Sequence, residues 1–147
     1  MNHAQSHPEV PPSAQMRFRV RAHTRWSDED NQGVLNNAVY MTLLEESRYA
    51  YFKALDLLDN NQFPFLLAQT QIRFLKPGRG GAEVEIELRT LRLGNSSLEQ
   101  AYRVRSWPEL ETWAEARATL VLYDPASGAS RAMPERFRTA VAALEGL

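Results

Sequence analysis

The chain has 147 residues and a formal net charge of -1, so its charge does not favour nucleic acid or an anionic membrane surface as a partner. It contains no cysteine, which excludes a thiol nucleophile, a disulfide framework and a cysteine-ligated metal site. No apolar run approaches the ~20 residues of a membrane span, and no signal-peptide pattern opens the chain, so we expect a soluble, cytoplasmic protein.

The beginning of the chain is rich in proline and has no hydrophobic periodicity. We therefore expect residues 1–15 to be a disordered leader and residues 16–147 to form a single domain. His3 and His7 lie in this leader, and we interpret them as tail residues and not as metal ligands.

Residues 17–26 alternate strictly between apolar and polar side chains, which is the period of a strand with one buried face. The predicted buried face consists of Phe18, Val20, Ala22, Thr24 and Trp26. The opposite face carries four arginines and His23, and three interpretations of it stay open: a solvated surface, a phosphate site or internal pairing. Glutamates alternate in the same way at positions 83, 85 and 87, and an antiparallel arrangement would set acid opposite base.

The next stretch joins this strand to an amphipathic helix, expected over residues 37–58. Asparagine is a preferred N-cap, so Asn36 or Asn37 should start the helix. Amides at a helix N-terminus lack intrahelical partners and carry a partial positive charge, and Asp30 lies six residues before Asn36. A carboxylate near such donors is a recurring pairing for acyl chemistry, although a loop with solubilising acids explains the same residues.

The helix has one apolar stripe at ~100° per residue. Its members are Tyr40, Leu44, Ser47, Tyr51, Leu55 and Leu58. Glu45 lies on the flank, where it can reach a site. Arg48 falls close to the centre of the stripe, and it is expected to snorkel, to pair with a buried acid such as Asp28, or to hold the catalytic loop. We favour a structural ion pair.

The sequence beyond residue 60 predicts four further strands and a short helix. The strands are predicted over residues 65–76, 82–93, 98–106 and 113–123. A slip in the apolar phase near Arg89 and Thr90 predicts a β-bulge, and Gly94 begins a hairpin turn. The short helix begins at Pro134. One long helix with five mostly antiparallel strands is an α+β arrangement.

The junction contains the pattern Asp28-x-Asp30-x-x-Gly33-x-x-Asn36-Asn37-x-x-Tyr40, and Glu45-Glu46-Ser47-Arg48 follows on the helix. It resembles the signature of hotdog-fold acyl-CoA thioesterases of the 4-hydroxybenzoyl-CoA thioesterase type. The likeness continues through residues 71–77 and 94–97 and spans roughly residues 17–124. It implies a hotdog fold, in which a five-stranded sheet wraps one long helix, and homodimers or dimers of dimers with sites at the dimer interface. It also places the arginine and glutamate strands side by side, which favours internal pairing.

The resemblance implies roles for individual residues. Asp30 is the expected catalytic carboxylate, as nucleophile or general base, and the Asn37 N–H should polarise the thioester carbonyl. Gly33 should let the backbone approach the acyl group, and Glu45 should reach the site. The acyl group is expected along the helix, against residues such as Tyr40, Leu44, Tyr51 or Phe63. The candidates for binding the substrate are Tyr40, Lys76, Arg79, Arg89, Arg92, Asn95, Ser96 and Ser97.

Several other chemistries find no support in the sequence. The chain has no Gly-x-Ser-x-Gly elbow and no glycine-rich phosphate fingerprint, and His23 is the only histidine outside the leader. We therefore expect no metal and no cofactor. The favoured activity is hydrolysis of an acyl-CoA thioester. The alternatives are hydrolysis of acyl-carrier-protein thioesters and a hotdog module that only binds acyl-CoA.

Overall fold

Residues 7–62 and 64–147 of the chain are described by a computed structural model, so residues 1–6 with His3, and Phe63, lie outside the described part. The described residues contain two α-helices, α1 (Asn37–Ala54) and α2 (Glu135–Glu145). The strands are β1 (Phe18–His23), β2 (Phe65–Phe74), β3 (Glu83–Leu93), β4 (Ser97–Ser106), β5 (Thr112–Asp124) and the two-residue β6 (Ala129–Ser130).

The strands form one antiparallel sheet in the order β1-β3-β4-β5-β2, with β6 beside β5. The sheet curls around α1, which confirms the predicted α+β architecture with one long helix. The predicted bulge in β3 is present between Thr90 and Arg92. Neither described helix is both long and apolar enough to cross a membrane.

Helix α1 begins and ends where local chemistry requires it. The Asn36 side chain is the N-cap, accepting a hydrogen bond of 2.9 Å from the Ala38 N–H. The helix ends at Ala54, earlier than predicted, because Asp56 adopts a left-handed conformation with φ of 57°. The Leu57 N–H then turns back to the Phe52 carbonyl at 2.9 Å, and this terminates the helix.

The core lies between α1 and the concave face of the sheet. Tyr40, Leu44, Ser47 and Tyr51 are buried, as the stripe predicted. Small side chains on β5, at Ala114, Ala116 and Ala118, are also buried in this layer. Helix α2 closes the far end through rings of Phe52, Phe65 and Phe137, whose centroids lie 5.2 to 6.2 Å apart.

The prediction of an ion pair for Arg48 is wrong. Its side chain is 4% exposed, and its guanidinium donates to the Tyr102 hydroxyl at 3.2 Å and lies over that ring. Within the described part of the chain no carboxylate lies within ion-pair distance of it, and Asp28 pairs with Arg25 instead. Aromatic and hydroxyl contacts therefore hold this buried cation.

The convex face of the sheet carries the predicted acid–base pairs. Arg19 lies opposite Glu87 and donates to it at 3.1 Å, and Arg21 lies 3.6 Å from Glu83. Strand β4 adds Arg105, which binds Glu85 at 2.6 Å. The arginines of β1 are therefore engaged within the sheet, which confirms internal pairing.

Part of the expected disordered leader is ordered against this face. Residues 13–15 form a 3-10 turn, and the Ser13 hydroxyl donates to Glu87 at 2.8 Å. Arg103 donates to the Pro11 carbonyl at 2.8 Å. These contacts bury Glu87 completely, and a buried carboxylate requires hydrogen-bond donors. The donor from Ser13 therefore explains why residues 13–15 are ordered although they lack hydrophobic periodicity.

Candidate functional site at the start of the long helix

The loop between β1 and α1 folds into a closed turn that stops at the helix. Glu29 and Leu35 form an isolated β-bridge, and the Asn36 N–H donates to the Asp28 carbonyl at 2.9 Å. Asn37 is the first residue of α1, and its own N–H has no acceptor among the described residues. The helix therefore presents an unpaired amide at this end, as predicted.

Asp30 lies at the tip of this turn and is exposed. Its Oδ1 accepts from the N–H of Gln32 at 2.8 Å and from that of Val34 at 3.4 Å. The Gly33 N–H donates to the Asp30 carbonyl at 3.1 Å, with Gly33 at φ of 76°, a conformation that favours glycine. The hydrogen bonds from its own loop therefore fix the orientation of the Asp30 carboxylate.

Two neighbouring acids brace the loop. Asp28 accepts from the Arg25 N–H at 2.7 Å and from the Arg25 guanidinium at 3.0 Å, and these bonds lower the pKa of the Asp28 carboxyl. The Glu29 carboxylate accepts from the Gly80 N–H at 2.9 Å. Through Glu29 the loop after β2 is held against the turn.

A cavity of about 330 Å³ opens beside the first turn of α1. Its lining residues are Gln32, Val34, Leu35, Asn37, Tyr40, Phe74, Leu75, Lys76, Pro77 and Gly78. Burial raises the pKa of Tyr40 to about 12, so this residue is a neutral phenol at physiological pH. The cavity therefore combines an apolar wall with an unpaired amide, a phenol and one lysine.

Gly78 lets the backbone after β2 pack directly on the cavity wall. Its carbonyl accepts from the Leu35 N–H at 2.9 Å, and a Cβ added at this position would lie 2.6 Å from the Tyr40 hydroxyl and 2.8 Å from the Trp113 ring. Because the Tyr40 and Trp113 rings are both packed in the core, neither can move away freely to make room for a Cβ at this position.

We expect Gly78→Ala to lower the free energy of unfolding by about 1–3 kcal/mol, because overpacking forces the rings to shift. Urea unfolding followed by circular dichroism measures this effect. An unchanged midpoint would show that the loop can move away from Tyr40, and it would contradict the close packing of Gly78.

The structure brings only some of the predicted site residues together. Asn37, Tyr40 and Lys76 line the cavity, and Asp30 and Gly33 belong to the adjoining turn. Lys76 also forms an ion pair with Glu111 at 3.1 Å. Glu45 is on the exposed side of α1, about 12 Å along the axis from Asn37, where it lines another cavity with Thr42, Glu46 and Tyr49.

The other predicted cations and polar residues are distributed differently. Arg79 is exposed in the loop that follows the cavity wall. Arg89 donates to the Gln15 carbonyl at 3.3 Å, and Arg92 pairs with Glu99 at 3.5 Å. Asn95, Ser96 and Ser97 lie at the β3–β4 turn, where their backbone carbonyls accept from Met133, Leu122 and Gly94, respectively.

This turn lies at the opposite end of the sheet from the cavity. Strand β3 has 11 residues, which at ~3.3 Å per residue separates its two ends by roughly 33 Å. Within one chain, therefore, neither Arg92 nor the turn at residues 95–97 reaches the cavity.

Sequence reasoning missed the wall formed by Gln32, Phe74, Leu75 and Pro77. Three of these residues could have been inferred from the sequence, because Phe74, Leu75 and Pro77 flank Lys76, which was itself predicted to bind the substrate. In the part of the chain that the structure describes, no group of three or more histidine, aspartate or glutamate side chains has the geometry of a metal site.

Comparison with known proteins identifies relatives of this arrangement. Residues 32–111 match the family model of the thioesterase superfamily. They include Gln32 and Gly33 of the turn, all of α1 and the cavity wall from Phe74 to Gly78, and they begin two residues after Asp30.

Solved structures with similar folds cover nearly the whole chain. A thioesterase from Thermus thermophilus, crystallised with coenzyme A and Zn, is 33% identical with a TM-score of 0.79, over 90% of this chain and 98% of that one. A protein from Pseudomonas aeruginosa strain PAO1 is 27% identical with a TM-score of 0.81, over 90% and 94% of the two chains. Among curated proteins, the uncharacterized protein YsmA of Bacillus subtilis is 31% identical over 86 residues, which is 58% of each chain.

Proposed function

The chain belongs to the thioesterase superfamily, and from that premise we propose that it hydrolyses an acyl-CoA thioester to a free acid and CoA. The observation that carries the proposal is the unpaired Asn37 amide, which opens onto a cavity next to the turn that fixes Asp30. The similar thioesterase from Thermus thermophilus was crystallised with coenzyme A, which supports CoA as the carrier.

The chemistry requires a polarised carbonyl and an oxygen nucleophile. The thioester carbonyl oxygen receives a hydrogen bond from the Asn37 N–H, and the partial positive charge of the helix end stabilises the oxyanion. Asp30 either attacks the carbonyl carbon, giving an anhydride that water then hydrolyses, or takes a proton from the attacking water. In both routes the carbon–sulfur bond breaks and CoA leaves as the thiol. The Tyr40 ring and Phe74 form the apolar wall for the acyl group.

The proposal includes a second copy of the chain, because Asp30 is exposed in a single copy. Strand β2 is an edge of the sheet and presents large apolar side chains on both faces, Leu66 on one and Leu67 and Phe74 on the other. An edge strand of ten residues with three exposed large apolar side chains is an aggregation hazard unless another strand covers it. The other edge, β1, carries arginines and is protected by charge. Antiparallel pairing of two β2 strands would cover both apolar edges and bring a partner to the cavity wall at Phe74.

We expect the parent protein to be a dimer in solution and Leu67→Glu to be a monomer, because the added charge would be buried at the β2 edge. Light scattering coupled to size exclusion measures the mass. Leu147→Glu, at an exposed leucine of the C-terminus, is the matched control and should stay dimeric. A monomeric parent that hydrolyses acyl-CoA would contradict the need for a second copy.

The test of the proposed function is release of free thiol from a panel of aliphatic and aromatic acyl-CoAs. Turnover with at least one member supports the proposal. Faster turnover of the same acyl group on an acyl carrier protein would assign the carrier protein as the natural substrate. Binding of acyl-CoA without any turnover would identify a non-catalytic module and overturn the proposal.

A further inference from the structure

The indole of Trp26 is the most exposed large apolar side chain among the described residues, at 83%. The sequence predicted it on the buried face of β1, but the strand ends at His23 and the chain turns away into the 3-10 turn at residues 26–28. Arg25, whose side chain is 80% exposed, precedes it directly. The turn thus exposes an indole and a guanidinium to solvent at consecutive positions.

A second arginine is brought to this surface by the loop after β2. The Arg79 carbonyl accepts from the Thr24 hydroxyl at 2.8 Å. The next residue, Gly80, packs its backbone on the turn so closely that a Cβ there would lie 2.5 Å from the Arg25 carbonyl oxygen and 3.1 Å from that of Trp26. Arg25, Trp26 and Arg79 therefore emerge from two backbone segments in contact.

The charges of this surface are arranged for an anion. Asp28 is buried and holds the Arg25 guanidinium by two hydrogen bonds to one carboxylate oxygen, at 3.0 and 3.2 Å, which fixes the arginine in place. Glu29 is engaged by the Gly80 N–H, and Glu46 of α1 lines a cavity together with Arg25 and Asp28. The Arg79 side chain has no hydrogen bond or ion pair to any described residue, so its guanidinium is available to a ligand.

The surface adjoins the cavity along the same loop. Pro77 and Gly78 line the cavity, and Gly80, two residues further, contacts Trp26. Two residues of extended chain span at most ~7 Å. A long substrate lying in the cavity beside Lys76 can therefore continue over this loop to the indole.

We infer that Trp26, Arg25 and Arg79 bind the nucleotide end of the CoA substrate, with the indole stacked on adenine and the guanidinium groups on phosphates. An exposed aromatic face next to a fixed arginine is the pattern that recognises a base and its phosphates. The inference rests on the proposed function. It assigns these three residues to the nucleotide, which is the part of CoA that an acyl carrier protein lacks. It therefore predicts CoA as the preferred carrier.

The kinetic test compares one acyl group on CoA and on pantetheine, which lacks the nucleotide. We expect Trp26→Ala to lower kcat/KM for the acyl-CoA about 10- to 100-fold, as loss of one base stack implies. Hydrolysis of the acyl-pantetheine should be unchanged, and Trp26→Phe should restore most of the rate on acyl-CoA. Arg79→Ala should give a smaller loss on CoA alone. Lys53→Ala, at an exposed lysine in the last turn of α1, is the charge-matched control and should behave as the parent.

The binding test needs no turnover. Adenosine 3′,5′-bisphosphate should quench tryptophan fluorescence in the parent and not in Trp26→Phe. Trp113 is buried, and Trp107→Phe, which removes the half-buried third tryptophan, should keep the quenching. Equal losses on both thioesters, or a change of oligomeric state in Trp26→Ala, would overturn the inference and leave the proposed function standing. If the parent hydrolyses neither thioester, the proposed function fails, and the fluorescence titration alone decides whether the nucleotide binds at Trp26.

Discussion

Replacing Asp30 by asparagine is expected to lower kcat for acyl-CoA hydrolysis by at least ~100-fold, about 2.7 kcal/mol of transition-state stabilisation. Asparagine cannot attack the carbonyl as a carboxylate does, and it cannot accept a proton from water. Its side-chain oxygen can still accept from the N–H groups of Gln32 and Val34, so the turn keeps its shape. Release of thiol under saturating substrate measures the effect.

The matched control is Asp56→Asn, which removes an exposed aspartate just past the other end of α1. Asparagine tolerates the left-handed conformation of this position, so the fold should be unaffected. We expect parental kcat for this variant and parental unfolding for both. If Asp30→Asn retains most of its kcat, another group supplies the nucleophile, although the thioesterase proposal itself would survive.

Features set by short-range periodicity were predictable from the sequence. The alternation of arginine in β1 and glutamate in β3 specified the buried face of each strand, because a slip by one residue would turn every side chain to the wrong face. Arg19 opposite Glu87 is the result. The cap at Asn36 and the closed turn at Gly33 follow in the same way from local hydrogen bonding.

Features set by position along the sheet were not predictable. Within one chain, β3 places Arg92 and the turn at residues 95–97 at the other end of the sheet from Lys76, although the resemblance assigned all of them to the substrate. Arg48 was expected to find an acid, whereas tertiary packing gave it the hydroxyl and ring of Tyr102. Periodicity specifies which face a residue occupies, and only the topology specifies what lies opposite.

A buried acid at the end of α2 has no counterpart in the sequence predictions. Glu145 is 2% exposed, and its Oε2 accepts from the Thr90 N–H at the bulge of β3 and from the Tyr51 hydroxyl at 3.2 Å. The bulge leaves this N–H without a ladder partner, and Glu145 supplies one. Burial raises the pKa of the Glu145 carboxyl, against the opposing effects of these bonds and of the charges on Arg89 and Arg17.

The sign of the resulting pH dependence follows from the raised pKa. The folded state binds the proton more tightly than the unfolded state, so the stabilisation is fully present below about pH 4.5, the ordinary pKa of a glutamate. It is lost as the pH rises toward the raised pKa of the folded state. Glu145 alone should therefore make the protein less stable at pH 8 than at pH 5.

We expect Glu145→Gln to be at least as stable as the parent at pH 8 and to remove this contribution to the pH dependence, because glutamine keeps an acceptor without burying a charge. Glu145→Ala should lower the free energy of unfolding by about 1–3 kcal/mol, since the Thr90 N–H loses its buried acceptor, whereas the Tyr51 hydroxyl keeps its hydrogen bond with the Thr90 hydroxyl at 2.8 Å. Urea unfolding at pH 5 and pH 8 measures all three proteins. A parent that gains stability from pH 5 to pH 8 while Glu145→Gln does not would show that the carboxylate is the favoured buried form.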